Sequence, residues 1–287
     1  MRGSILELLK PGIAFSVLWT VVPGLLTGSH IPHWGLFLAA LLGTLLVAMS
    51  SFVFNQILEV KTDALMERTR NRPLLTGKIT RTQAHILGAG LLTLGMSILW
   101  LFTTPLAALI SLFSFLYYIF IYTLLLKPRT VQSTVLGGVC GAIGPLIGQA
   151  AVIGRIEISG ALLFLLLFLW QPPHFWALAI ARRDEYGKAN FPLLPVLHGV
   201  PRTLKNMVFY QILLVAATVL AWIPLAVAGL AFLIPSLICG LVTLVLIFRL
   251  DSKGEPGPAM RVFFASIVHN LLWHAAFAVD RFLVLSA

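Results

Sequence analysis

About nine apolar runs of roughly 20 residues, separated by short polar segments, leave this chain few ways to fold. They lie near 11–29, 34–56, 82–102, 105–126, 133–153, 158–181, 206–226, 229–249 and 260–285. A run of that length crosses a hydrocarbon layer as an α-helix, because lipid offers an open backbone no hydrogen-bond partner. A closed barrel would need strict apolar/polar alternation, which these runs lack. Of the 287 residues 59% are hydrophobic and 10% charged, and the mean hydropathy is +0.97, beyond what a water-soluble domain of this size carries. The expectation is an all-α polytopic membrane protein, with residues 1–287 forming one transmembrane domain. The first run lacks a small-x-small cleavage site, so it reads as a retained span.

A formal charge of +10 raises nucleic acid as a partner, but the distribution of charge excludes it. In a nine-span topology 18 of the 20 Lys and Arg fall on one face, and only Arg155 and Arg281 on the other. That asymmetry is the positive-inside pattern, with the N-terminus cytoplasmic and the C-terminus outside. No Arg- and Ser-rich transit segment precedes the first span, which favours a bacterial cell (inner) membrane. Cys140 and Cys239 lie inside apolar runs and read as small hydrophobes.

Two segments of the basic face, 57–81 and 182–205, mix acidic and basic residues around a proline turn. Asn71-Arg72-Pro73-Leu74-Leu75 matches Asn190-Phe191-Pro192-Leu193-Leu194, 119 residues further on. Four spans separate the two, so a parallel repeat would set both loops facing one another over one cavity.

Asn55, Glu59, Asp63 and Glu67 recur every four residues where the second run ends. Four residues advance a helix by about 400°, so the side chains form one slowly drifting stripe of oxygen ligands. Such a stripe suits Mg²⁺, which takes one or two carboxylates and fills its remaining positions with water and phosphate oxygens. Arg68, Arg72, Lys127 and Arg182 on the same face are candidates to hold a diphosphate. The competing reading of the stripe is a solvated helix extension, against which stands the cost of carboxylates at a membrane boundary.

In the second segment Pro172-Pro173 should kink a span and open space beside His174, and Asp184 and Glu185 at its mouth are candidates for a second metal-binding wall opposite Glu59 and Asp63. His174 reads equally as a buried, hydrogen-bonded histidine, and Arg182 and Arg183 as topology anchors. Gly137, Gly138, Gly141, Gly144 and Gly148 permit close helix packing or room for a flat ligand. His30, His33, His269 and His274 have no complete metal set around them.

Asn55-x3-Glu59-x3-Asp63-x2-Met66-x-Arg68-Thr69-x2-Arg72-Pro73-Leu74 resembles the first acidic motif of the UbiA-type intramembrane prenyltransferases, in the branch that farnesylates heme. Leu126-Lys127-x-Arg129-Thr130, Gly137-Gly138-x2-Gly141-Ala142, Trp170-Gln171-x-Pro173-His174-Phe175-Trp176, Asp184-x-Tyr186 and Pro192-x2-Pro195 extend the resemblance over most of the chain. It implies nine helices around a central cavity, and transfer of a farnesyl group from farnesyl diphosphate to heme B with Mg²⁺ as cofactor. Asn55, Glu59, Asp63 and Asp184 would then be catalytic, with Glu59, Asp63 and Asp184 on the metal. His174 would meet the heme, and a downstream heme-modifying oxidase would take the product. Ser133, Gly144-Pro145, Gln149 and His269 depart from the branch's pattern. A prenyltransferase for another aromatic acceptor and an ion-coupled transporter are the alternatives.

Overall fold

The computed structural model describes residues 2–222 and 227–285. In chain order the α-helices are α1 (Arg2–Leu9), α2 (Pro11–Leu25), α3 (Trp34–Leu58), α4 (Val60–Asp63), α5 (Arg81–Phe102), α6 (Pro105–Leu116), α7 (Ser133–Ala142), α8 (Gly144–Ile153), α9 (Ile158–Ala181), α10 (Arg183–Lys188), α11 (Leu194–Leu197), α12 (Gly199–Trp222), α13 (Leu230–Phe248) and α14 (Pro256–Leu285). A π-helix, Tyr117–Leu126, continues α6. No strand occurs among the described residues.

Eight of the described helical stretches are long and apolar enough to cross a membrane. The bent pair Gly3–Leu9 and Pro11–Leu25, which meets at 41°, brings the number to nine. The observed spans follow the apolar runs to within a few residues, except that α12 begins seven residues before the run at 206; the end of that run, 223–226, lies outside the described residues. Local chemistry sets the ends. Thr80 and Gln83 form a reciprocal capping box at the start of α5. Thr104 caps α6 ahead of Pro105, whose missing N–H costs nothing at a first helical position.

α9 forms the centre of the bundle, with Leu163, Leu166, Leu167 and Trp170 buried against α12 and α14. The outward surfaces are apolar: Leu101, Ile86 and Phe248 are among the most exposed side chains, as lipid-facing positions should be. The chain is a multi-pass membrane protein.

The glycine-rich span packs closely. A β-carbon on Gly24 of α2 would lie 2.0 Å from the Pro145 carbonyl oxygen, and one on Gly148 would lie 2.3 Å from that of Val21. The α2–α8 crossing is therefore backbone against backbone. At the end of the bundle that carries few charges, Arg281 donates to the carbonyl oxygens of Leu26 (2.9 Å) and Gly28 (3.1 Å), closing the end of α2. Asp280 beside it accepts from the Gly229 N–H at 2.7 Å. At the opposite, polar end Met66 shares a buried cluster with Ala189 and Phe191, and Tyr186 and Leu193 pack against it, so the two mixed-charge segments do meet.

Candidate active site

The stripe runs from α3 through a break at Glu59 into the short helix α4, which ends at Asp63. Glu59 N–H bonds to the Asn55 carbonyl at 2.9 Å and Asp63 N–H to that of Glu59 at 2.8 Å, so the three residues keep the four-residue spacing through α4. Beyond Asp63 the chain turns into a loop held by Thr69 Oγ1, which donates to the Asp63 carbonyl at 2.7 Å. Asn55, Glu59 and Asp63 are consequently buried. Glu67 is not: its side chain is 84% exposed and pairs loosely with Arg70 at 3.5 Å. Three of the four stripe residues are therefore buried together, as candidate ligands.

Each buried carboxylate already holds a cation. Lys127 Nζ lies 2.5 Å from Glu59 Oε1, and the Arg72 guanidinium donates to Asp63 Oδ2. Burial pushes the Asp63 carboxyl above the usual carboxylate range, with Arg72 pulling the other way. Asn55 Nδ2 donates to Thr123 Oγ1 at 3.2 Å, which leaves its amide oxygen as the acceptor available to a ligand.

The π-helix delivers two of these groups. Its wider turns carry Lys127, whose N–H bonds to the Tyr122 carbonyl five residues back at 2.8 Å, and Thr123, whose hydroxyl donates to the Tyr118 carbonyl oxygen at 2.8 Å. Such segments are rare and gather at functional sites. Gly137 makes room for this one, since a β-carbon there would sit 2.4 Å from the Tyr122 ring.

The second segment contributes differently from expectation. Asp184 is not buried with Glu59 and Asp63: its side chain is 90% exposed and lies 3.7 Å from Arg183. Its neighbour Glu185 instead accepts from the Arg68 N–H at 3.4 Å. Adjacent residues on a helix diverge by about 100°, so α10 can turn only one of the two carboxylates toward the first segment. Among the described residues no group of three His, Cys, Asp or Glu side chains is placed to hold a metal. Arg68 and Arg182 both act on the Tyr186 hydroxyl, countering the upward shift that burial imposes on it. Phe191 lies under Lys127, the ammonium 5.0 Å from the ring centroid.

His174 lies deeper. α9 runs through Pro172-Pro173 as one helix, and the space expected beside His174 is taken by Trp170 and Phe263, stacked at 4.4 and 4.5 Å. Ser266 donates to the Phe263 carbonyl at 2.6 Å and so receives the His174 Nδ1 proton at 2.7 Å. Nε2 is left as the acceptor nitrogen. Thr123, Phe191 and Lys10 belong to this region without having drawn notice as ligands. Lys10 was visible only as one more basic residue on the charged face, and Thr123 lies in an apolar run.

Known proteins resemble the chain over nearly its whole length. The sequence pattern of the UbiA prenyltransferase family covers residues 17–268. A protein of Leptospira interrogans serogroup Icterohaemorrhagiae serovar copenhageni, named protoheme IX farnesyltransferase, is 40% identical over 276 residues, 96% of each chain. One of the same name from Alcanivorax borkumensis is 42% identical over 281 residues, 97% of this chain and 92% of that one. Solved structures share the fold: a digeranylgeranylglyceryl phosphate synthase superposes with a TM-score of 0.80 at 22% identity over 98% of both chains. A UbiA homologue from Archaeoglobus fulgidus, bound to GPP and Mg²⁺, gives 0.69 at 17% identity over 96% of this chain and 99% of that one. With the family pattern and the relatives spanning nearly the whole chain, this protein belongs to the UbiA prenyltransferase family.

Proposed function

We propose that the chain transfers a farnesyl group from farnesyl diphosphate to a vinyl group of heme B, giving heme O and diphosphate. It does so in a bacterial cell membrane, with the polar end and N-terminus cytoplasmic and the C-terminus outside. The observation that carries this reading is the buried Asn55, Glu59 and Asp63 with Lys127 and Arg72 on the two carboxylates. The relatives' name, protoheme IX farnesyltransferase, supports heme as the acceptor over another aromatic compound.

The donor set fits Mg²⁺. Two carboxylate oxygens and an amide oxygen on one helical stripe are hard ligands, and the ion takes its other positions from water and phosphate. Glu59 and Asp63 are the protein carboxylates, and Asp184 joins them only if α10 moves. Bound there, Mg²⁺ would neutralise charge building on the departing diphosphate. Lys127 and Arg72, freed from their carboxylates, turn to the phosphate oxygens, and Arg68 and Arg182 guard the mouth. The farnesyl C1–O bond breaks with its electron pair leaving on diphosphate. The allylic cation is attacked by the vinyl π electrons, and water adds at the neighbouring carbon with loss of a proton. The apolar bundle keeps bulk water from the cation before that step. His174, with Nε2 as acceptor, would meet the porphyrin only if its stack with Trp170 and Phe263 opens. A downstream heme-modifying oxidase takes the product.

Diphosphate release from farnesyl diphosphate, measured in the purified protein, is expected only with heme B and Mg²⁺ together, and EDTA should abolish it. Release driven equally well by another aromatic acceptor, with heme inert, would overturn the heme assignment.

A further inference from the structure

The bend between α1 and α2 brings a cation to the carboxylate cluster that the charge pattern assigns only to topology. Lys10 occupies the bend, in the left-handed region at φ 47° and ψ 59°. Residues with a β-carbon adopt that backbone only when their surroundings impose it. Here the surroundings are α3. Gln56 Nε2 donates to the Leu8 carbonyl oxygen at 2.7 Å, and Leu8, fully buried, shares an apolar cluster with Val53. The bend is thereby fastened to α3 within about one helical turn of Glu59.

Lys10 reaches over the Phe52 ring, its Nζ 5.7 Å from the centroid. Its charge acts on Glu59, Asp63, Arg72 and Lys127 alike. Both carboxylates are already paired, Glu59 with Lys127 and Asp63 with Arg72. With Lys10 the cluster holds three cations against two carboxylates, an excess that a bound anion would balance.

We propose that Lys10 is a substrate-contact residue whose ammonium takes a diphosphate oxygen alongside Lys127 and Arg72. Phe52 supports the ammonium through its ring face and keeps it off the carboxylates. The nature of the anion rests on the prenyltransferase reading above; the position of Lys10 does not. A porphyrin carboxylate is the other anion the substrates could present, and the test separates the two.

Binding of inorganic pyrophosphate with Mg²⁺ is measured by calorimetry on the intact purified protein and on Lys10→Met and Lys10→Arg. Lys10→Met should weaken it about tenfold, the loss of one hydrogen bond to a charged group. The KM for farnesyl diphosphate should rise similarly with the KM for heme B unmoved, and Lys10→Arg should stay within about threefold of the parent. In the unaltered protein pyrophosphate should also protect Lys10 from an amine-reactive label, a readout that survives if the methionine variant does not fold. Unchanged pyrophosphate affinity in a folded Lys10→Met, or no protection of Lys10, would overturn the proposal. A rise in the heme KM alone would move Lys10 to the porphyrin carboxylates. Lys10-dependent pyrophosphate binding by a protein that leaves heme unmodified would overturn the acceptor assignment and uphold this one.

Discussion

At the scale of single residues, the pairs Glu59–Lys127 and Asp63–Arg72 have to be weighed against their own desolvation. Taking both partners out of water costs several kcal/mol per ion, so such a pair is a poor device for stability alone. It is a good device for holding charge ready for exchange with a charged substrate. Removing one partner exposes the cost: Arg72→Met leaves Asp63 buried and unpaired, and should lower stability by about 3–5 kcal/mol, read as a lower midpoint of thermal unfolding in detergent. Adding Asp63→Asn should recover most of that loss without restoring turnover. Glu59→Gln, alone, should cut turnover at least ~100-fold while the protein still folds, because Glu59 would hold the cation that offsets the charge on the leaving group. Wild-type rates in Glu59→Gln would remove Glu59 from the site.

At the scale of elements, two devices place those residues. One is the glycine crossing of α2 with α8. Gly24→Ala puts a methyl group 2.0 Å from a backbone oxygen, so the helices must separate and the unfolding midpoint should fall sharply. Gly90→Ala on α5 meets nothing within 4 Å, and should be neutral or raise stability by up to about 1 kcal/mol through helix propensity. Equal effects of the two substitutions would mean that the crossing does not hold the bundle. The other device is the π-helix over Tyr117–Leu126. The acidic stripe is legible in the sequence because a four-residue spacing is a helical signal in its own right. The π turns are not, because an apolar run reads the same with either hydrogen-bond pattern. Likewise the spacing brings Asp184 to the right segment, but only the phase of α10 decides that Glu185 and not Asp184 faces the first loop. The proline pair was legible as a break in bonding, while Phe263, one of the two rings stacked on His174, comes from α14, about 90 residues away in the chain.

At the scale of the whole molecule, apolar length and the bias of basic residues carry the architecture, since lipid permits only helices here and each helix needs about 20 residues. That is why the spans could be placed from sequence and why their exact ends, set by caps such as Thr80 and Gln83, could not. Orientation has its own test. Arg155→Cys, on an exposed loop at one end, should react with a membrane-impermeant maleimide added to intact cells, and Lys78→Cys, exposed at the other end, only after permeabilisation. The reverse pattern would invert the topology. Mass spectrometry of the heme decides whether the acid cluster at the polar end serves farnesyl transfer. After incubation with heme B, farnesyl diphosphate and Mg²⁺, the purified protein should yield heme bearing a hydroxyethylfarnesyl group, and Asp63→Asn should yield none. Heme recovered unmodified from the intact active protein, or modified equally by Asp63→Asn, would contradict that role.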